Sequence, residues 1–389
     1  SLYLSISNLV LHRWTKHFHQ VNHSEQHRLV DEIHRQRPAA QPRESARRAA
    51  VFFLRRHIVQ ALCRRGCGEK IPPEGGRYPD THPSAGDNGM AKNKKTIFRG
   101  VGTALVTPMK NGEVDYPALR GLIDRQVELG ADALVICGTT GESATLSDTE
   151  RRSCIAAAIE YTNGRLPVVA GTGSNNIEKA AALSRYASDA GADALLVVTP
   201  YYNKATPEGL CRSFLHIADS SAAPLILYNV PSRTGCDIPM SVYRELARDG
   251  RIAAVKEASG NPAAAQKIIA ETDGALDVYS GNDELAGCVM SLGGAGVISV
   301  ISNLLPTEMH RLTELCDAQR CTEAAELQRS LLPLCDALFA AVNPIPVKTA
   351  LAMMGLCGYE MRLPLCRMSD TEEARLADVL LRYGLLPAD

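Results

Sequence analysis

Lys256 ends the apolar run Ile252, Ala253, Ala254 and Val255, and Tyr228 comes near the end of the run before it, PLILYNVP. Strand alternation puts Lys256 on the side of Ala254 and Tyr228 on the side of Ile226. If Ala254 and Ile226 point into a barrel, the amine and the phenol do too. Desolvation there favours a neutral amine, which is a nucleophile toward a carbonyl carbon. The plain alternatives are a lysine paired with Glu257 or left in solvent, and a tyrosine packed in a core with its hydroxyl satisfied. Earlier in the chain, GTTGES at 138–143 offers a second kind of chemistry. Gly138 and Gly141 permit a tight turn whose successive N–H groups suit a carboxylate. Thr139 and Thr140 add hydroxyls that can bind an anion or pass a proton. Arg233, in PSRTG after the tyrosine, carries a planar fork suited to a second carboxylate. An amine, a phenol and two carboxylate binders together describe chemistry on a keto acid meeting an acidic partner.

Positioning those groups is the task of a regular scaffold. From about residue 97, short β-branched runs alternate with helical patterns of 10 to 16 residues, the rhythm of βαβ units. Strands are expected at 101–107, 133–138, 166–173, 194–201, 224–231, 252–259, 277–281 and 296–300, with helices at 116–129, 147–161, 176–190 and 262–271. The continuous apolar runs suit parallel strands covered on both faces. LGADAL at 129–134 returns as AGADAL at 190–195, 61 residues on, near the length of two βα units. The expected fold is therefore an α/β (β/α)8 TIM barrel, with catalytic residues at strand C-terminal ends. A doubly wound sheet is the alternative, but GTG at 171–173 lacks the full dinucleotide fingerprint. Beyond Leu305 the chain reads as helical through Leu386: the eighth barrel helix and about three more. The boundaries expected are an N-terminal extension at 1–89, a barrel at 90–318 and a C-terminal helical domain at 319–389.

Composition narrows the partners. A net charge of −1 gives no global reason to expect nucleic acid or an anionic membrane. Twelve cysteines without CxxC pairs read as reduced core residues, which points to a cytoplasmic setting, and no apolar run is long enough to span a bilayer. Charge is uneven, however: residues 1–89 hold 14 Lys and Arg against 8 acidic residues, and eight of the ten histidines. Met90 followed by AKNKKTIFRG has the look of a natural start, so 1–89 reads as an upstream extension, disordered or non-native. A transit peptide is the rival, and a nucleic-acid arm or a metal site at Cys63 and Cys67 is weaker still.

The motifs GTTGESATL, VTPYYNK, YNVPSRTG, VKEASG, GVISV and NPIPVK occur in that order. Together they resemble the dihydrodipicolinate synthase family, over about residues 97–386. The resemblance implies condensation of pyruvate with L-aspartate 4-semialdehyde, usually in a homotetramer built as a dimer of dimers, on the route to diaminopimelate and lysine. It implies that Lys256 forms an imine with pyruvate and that Tyr228 shuttles protons. Thr139 would support it, as would Tyr202 reaching in from a neighbouring subunit. The N–H groups of Thr139 and Thr140 would hold the pyruvate carboxylate and Arg233 the semialdehyde carboxylate. The Gly281 and Ile298 backbone would line the pocket. No metal and no external cofactor is implied.

The resemblance also implies a lysine-binding site, and Ser143, Ala144, Asn175 and Tyr201 fit its pattern. Asp148 and Lys179 stand where the lysine-sensitive pattern has His and Glu, and a cation at Lys179 would repel the effector's ammonium, so weak or absent feedback is expected. Sialic-acid lyases and keto-deoxy sugar acid aldolases share the lysine and the turn, but Arg233 suits a short acidic aldehyde better than a neutral polyol. A non-catalytic, ligand-binding paralogue is the alternative from another class. The joint presence of lysine, tyrosine, threonine and arginine argues against it.

Overall fold

The structure, a computed structural model, describes residues 96–387. The readings made for residues 1–89, including Cys63 and Cys67, lie outside the described residues.

Eight parallel strands close into a barrel: β1 (Gly100–Ala104), β4 (Ala133–Ile136), β5 (Val168–Gly171), β6 (Ala194–Val198), β7 (Leu225–Asn229), β8 (Ile252–Glu257), β9 (Asp277–Ser280) and β10 (Gly296–Ser299). Each pairs with its successor, and β10 returns to β1 with Val101 opposite Val297. A small hairpin, β2 (Met109–Lys110) with β3 (Glu113–Val114), follows the first strand, and the sequence pattern did not disclose it. Every expected strand is present, but each ends one to three residues before its apolar run does. Those last residues leave the ladder and form the mouth, where ligands meet loops.

The two strand faces sort into two apolar layers. Inside lie Ala133, Val135, Leu196, Ile226, Ala254, Tyr279 and Ile298. Outside, against the helices, lie Leu134, Ile136, Leu195, Leu227, Val255 and Val297. This alternation explains why the strands read as unbroken apolar runs: both faces are covered.

The surrounding helices are α1 (Tyr116–Glu128), α2 (Asp148–Thr162), α3 (Ile177–Asp189), α4 (Pro207–Asp219), the broken pair α5 (Pro231–Thr234) and α6 (Met240–Leu246), α7 (Pro262–Glu271), α8 (Ala286–Ser291) and α9 (Pro306–Asp317). Their starts follow local rules. Asp115 accepts from the Ala118 N–H, and Ser147 with Glu150 forms a reciprocal capping box. After the eighth barrel helix come α10 (Cys321–Leu338), α11 (Ile345–Met353) and α12 (Asp370–Arg382). They share one apolar cluster with the outer barrel layer through Leu334, Leu338, Val347, Leu351 and Leu376. Three helices follow the eighth barrel helix, as expected, but the reading of helix through to Leu386 overstated the extent: residues 354–369 are irregular, and the last helix stops at Arg382. Gly355, at φ 73°, and Pro364 interrupt the pattern there.

Candidate active site

Ala254 and Ile226 belong to the inner layer, so the residues two further along point inward as well. Tyr228 and Lys256 sit opposite each other in the β7–β8 register, at the C-terminal ends of both strands. The Lys256 amine lies 4.6 Å from the centre of the Tyr228 ring, and the two residues are only 6% and 7% exposed. Glu257 does not pair with that amine. It faces the other side of the sheet, where its carboxylate accepts from Asn229 Nδ2 at 2.9 Å and from the Ser259 N–H at 2.7 Å. Burial and the neighbouring Glu257 and Asp237 carboxylates push the Tyr243 phenol well above its usual value.

The turn after β4 has a different internal logic from the one its glycines suggest. The left-handed residues are Cys137, at φ 54°, and Glu142, at φ 55°. Gly138 is not forced by its surroundings, since an added Cβ would meet only ordinary contacts at 3.8 Å. Gly141 is constrained by space: a Cβ would lie 3.1 Å from the Cys137 backbone and 3.2 Å from the Leu105 carbonyl oxygen. Thr107 Oγ1 donates to the Gly141 carbonyl at 2.7 Å, and the Glu142 N–H donates to the Thr139 carbonyl at 3.1 Å. Among the described residues, the N–H groups of Thr139 and Thr140 are not consumed by the turn's own hydrogen bonds. Donors of that kind, in a strained and well-braced turn, suit a carboxylate.

Arg233 lies in the four-residue α5 directly after β7, exposed toward solvent. Its Nη2 donates to the Asn343 carbonyl at 3.4 Å, and Asn343 Nδ2 donates to Thr140 Oγ1 at 3.0 Å. One residue thus links the arginine to the turn. Asn343 opens NPIPVK, which the sequence reading used only as a sign of resemblance; a buried amide at a loop end has no local signature.

Gly281 follows β9, and its N–H donates to the Glu257 carbonyl at 2.7 Å. A Cβ there would sit 2.5 Å from the Ala258 Cβ, so only glycine lets the backbone pass beside the lysine strand. Ile298, on β10, is buried in the inner layer with Tyr228.

Within one chain, Lys256, Tyr228, Thr139, Thr140, Arg233, Gly281 and Ile298 all belong to the C-terminal mouth of the barrel. Tyr202 is not buried among them: it is 86% exposed, at φ 76°, in the loop after β6. Ser143 is half-buried at the end of the turn, while Ala144, Asn175 and Tyr201 are exposed on the loops after β4, β5 and β6.

Comparison with known proteins agrees with this geometry. The model of the dihydrodipicolinate synthetase family matches residues 97–382. A 4-hydroxy-tetrahydrodipicolinate synthase from Syntrophus aciditrophicus is 46% identical over 290 residues, covering 75% of this chain and all of that protein. One from Lachnoclostridium phytofermentans is 49% identical over 292 residues, covering 75% of this chain and 99% of the relative. The crystal structure of dihydrodipicolinate synthase from Aquifex aeolicus superposes with a TM-score of 0.74 at 42% identity, over 75% of this chain and 100% of that one. With the closed barrel, the inward lysine beside a tyrosine and a family match spanning nearly all described residues, the chain belongs to the dihydrodipicolinate synthetase family.

Proposed function

We propose that the chain condenses pyruvate with L-aspartate 4-semialdehyde to give 4-hydroxy-tetrahydrodipicolinate, on the route to diaminopimelate and lysine. The observation that carries this is the buried Lys256 amine 4.6 Å from the Tyr228 ring, in the same barrel mouth as a braced turn with free N–H donors.

The chemistry follows from the groups. The Lys256 amine adds to the keto carbon of pyruvate and water leaves, giving an imine. The imine draws electrons from the methyl carbon, which gives up a proton and becomes an enamine. That carbon attacks the aldehyde carbon, and the aldehyde oxygen takes a proton to become the hydroxyl. The amino group of the former semialdehyde then adds to the imine carbon and displaces the lysine, closing the ring. Tyr228 is assigned the proton transfers of imine formation and cyclisation, with Thr139 and a neighbouring subunit's copy of Tyr202 in support. The N–H groups of Thr139 and Thr140 hold the pyruvate carboxylate, Arg233 the semialdehyde carboxylate, and Gly281 and Ile298 shape the pocket. No metal and no external cofactor takes part in this proposal.

The proposed assembly is a homotetramer built as a dimer of dimers, in the cytoplasm, and Tyr202 standing 86% exposed beside the mouth supports its use by a second copy. Among the described residues no helix is long and apolar enough to cross a membrane. Ser143, Ala144, Asn175 and Tyr201 are proposed as the remnant of a lysine-binding site. The deciding experiment is borohydride reduction with labelled pyruvate: the parent chain takes up label and Lys256→Ala takes up none. Label retained in that variant places the nucleophile elsewhere.

A further inference from the structure

The NPIPVK segment reaches the turn after β4 at two points. Lys348, in α11, is fully buried, and its Nζ lies 2.5 Å from Oε1 of an equally buried Glu142, 206 residues away in sequence. Glu142 is two residues past Thr140 and holds a left-handed backbone at φ 55°, a conformation that costs a non-glycine residue energy and persists only where its surroundings enforce it. Its second oxygen accepts from the Arg362 N–H at 3.4 Å. The same segment reaches the turn at a second point through Asn343 Nδ2 and Thr140 Oγ1. The Glu142 side chain is therefore held by the C-terminal residues Lys348 and Arg362, and Thr140 by Asn343, in addition to the turn's own backbone bonds.

A buried ion pair is a poor choice for stability, because desolvation of both charges offsets most of their attraction and an apolar pair often serves as well. It is a directional choice, however, since it fixes where one carboxylate must lie. We propose that the Glu142–Lys348 pair is a positioning device that sets the height of the Thr139 and Thr140 N–H groups, so that the C-terminal helices govern capture of the substrate that carries its carboxylate next to its ketone. This rests on the proposed roles of Lys256 and the turn. Neither Glu142 nor Lys348 touches substrate in this scheme; both act through the turn.

The test uses the full chain with Glu142→Gln, Lys348→Met and the two combined. The single variants leave one buried charge unpaired and are prone to unfold, so the double variant, with no unpaired charge, carries the result. KM is measured for each substrate separately, and borohydride trapping is compared for pyruvate and for hydroxyacetone, a ketone without a carboxylate. The folded double variant is expected to raise the KM for pyruvate by about tenfold, with that for the semialdehyde within about twofold. Pyruvate trapping slows in proportion while hydroxyacetone trapping stays near the parent rate. Parent-like pyruvate KM, a parallel loss with both ketones, or a double variant that cannot fold would assign the pair a purely structural role and overturn the proposal. A parent chain that pyruvate does not label would instead overturn the reading of Lys256, which keeps the two failures apart.

Discussion

Asn229 offers a sharp test of how the proposed reacting pair, Lys256 and Tyr228, is held. It follows Tyr228, faces the opposite side of the sheet and is 1% exposed. Its Nδ2 donates to Glu257 Oε2 at 2.9 Å and to Asp237 Oδ1 at 2.8 Å, and its Oδ1 accepts from the Ile238 N–H at 3.1 Å. Because Asn229 stands opposite Glu257 in the register that sets Tyr228 opposite Lys256, this side chain clasps the two strands at the height of that lysine and tyrosine. Asn229→Ala removes two hydrogen bonds to carboxylates and one neutral one, worth about 1.5–3 and about 1 kcal/mol each. Asp237 is exposed and regains water, and the Ser259 N–H still serves Glu257, so the lower end applies: about 3–4 kcal/mol. In a chain of this size that lowers Tm by about 4–7 °C. Asn229→Asp separates charge from shape, because it sets a third carboxylate against Glu257 and Asp237. Repulsion raises the folded-state pKa of the new group above its unfolded value, so that variant is nearest the parent at low pH and loses stability as pH rises through the raised value. Thermal unfolding by circular dichroism between about pH 4 and 8, with kcat measured alongside, reads both effects. If Asn229→Ala melts within about 2 °C of the parent and keeps its kcat, the clasp is not what sets the Tyr228–Lys256 spacing.

Three further outcomes follow from other parts of the structure. Gly281→Ala would bring a Cβ within 2.5 Å of Ala258 and 3.1 Å of the Glu257 carbonyl, so the backbone must move; a loss of about 1–3 kcal/mol and a lower kcat/KM are expected, and parent-like values for both would contradict the close approach. The Arg362 guanidinium, which donates to Glu150, holds that carboxyl at about 2, against burial, with help from Ser147. A depressed carboxylate contributes stability above its ordinary range that is lost as pH falls through about 2, so Arg362→Met is expected to unfold at higher pH in an acid titration, and coincident titrations would show the pair is inert. L-Lysine at about 1 mM, an affinity of about 4 kcal/mol, is expected to leave the purified enzyme more than half active, because a cation at exposed Lys179, four residues after Asn175 of the proposed site, would repel the effector's ammonium; half-inhibition below that concentration would sink the expectation.

Much of the site was legible because its signals are local. Period-two alternation put Lys256 with Ala254 and Tyr228 with Ile226, and the structure has all four on the inner face. Apolar runs bounded by glycine and proline located all eight strands, since parallel strands covered on both faces read as mostly apolar stretches with few polar residues. The sequence overstated the strand ends, because several apolar residues such as Leu105, Val106, Val230, Ala258 and Val300 continue past the ladder into the mouth loops. It read Gly138 and Gly141 as the residues that permit the tight turn; the structure puts the left-handed backbone at Cys137 and Glu142 and finds only Gly141 constrained by space.

From sequence alone, then, came the barrel, the inward direction of the amine and phenol, and the groups proposed to bind two carboxylates, all of them consequences of spacing along a single strand or turn. Only the tertiary structure decided what holds those groups. Glu257 turned to Asn229 rather than to its neighbour Lys256, and Asn343 and Lys348 reached back some 200 residues to Thr140 and Glu142. Such partners are selected by barrel closure and helix docking, which bring together residues that no local periodicity relates.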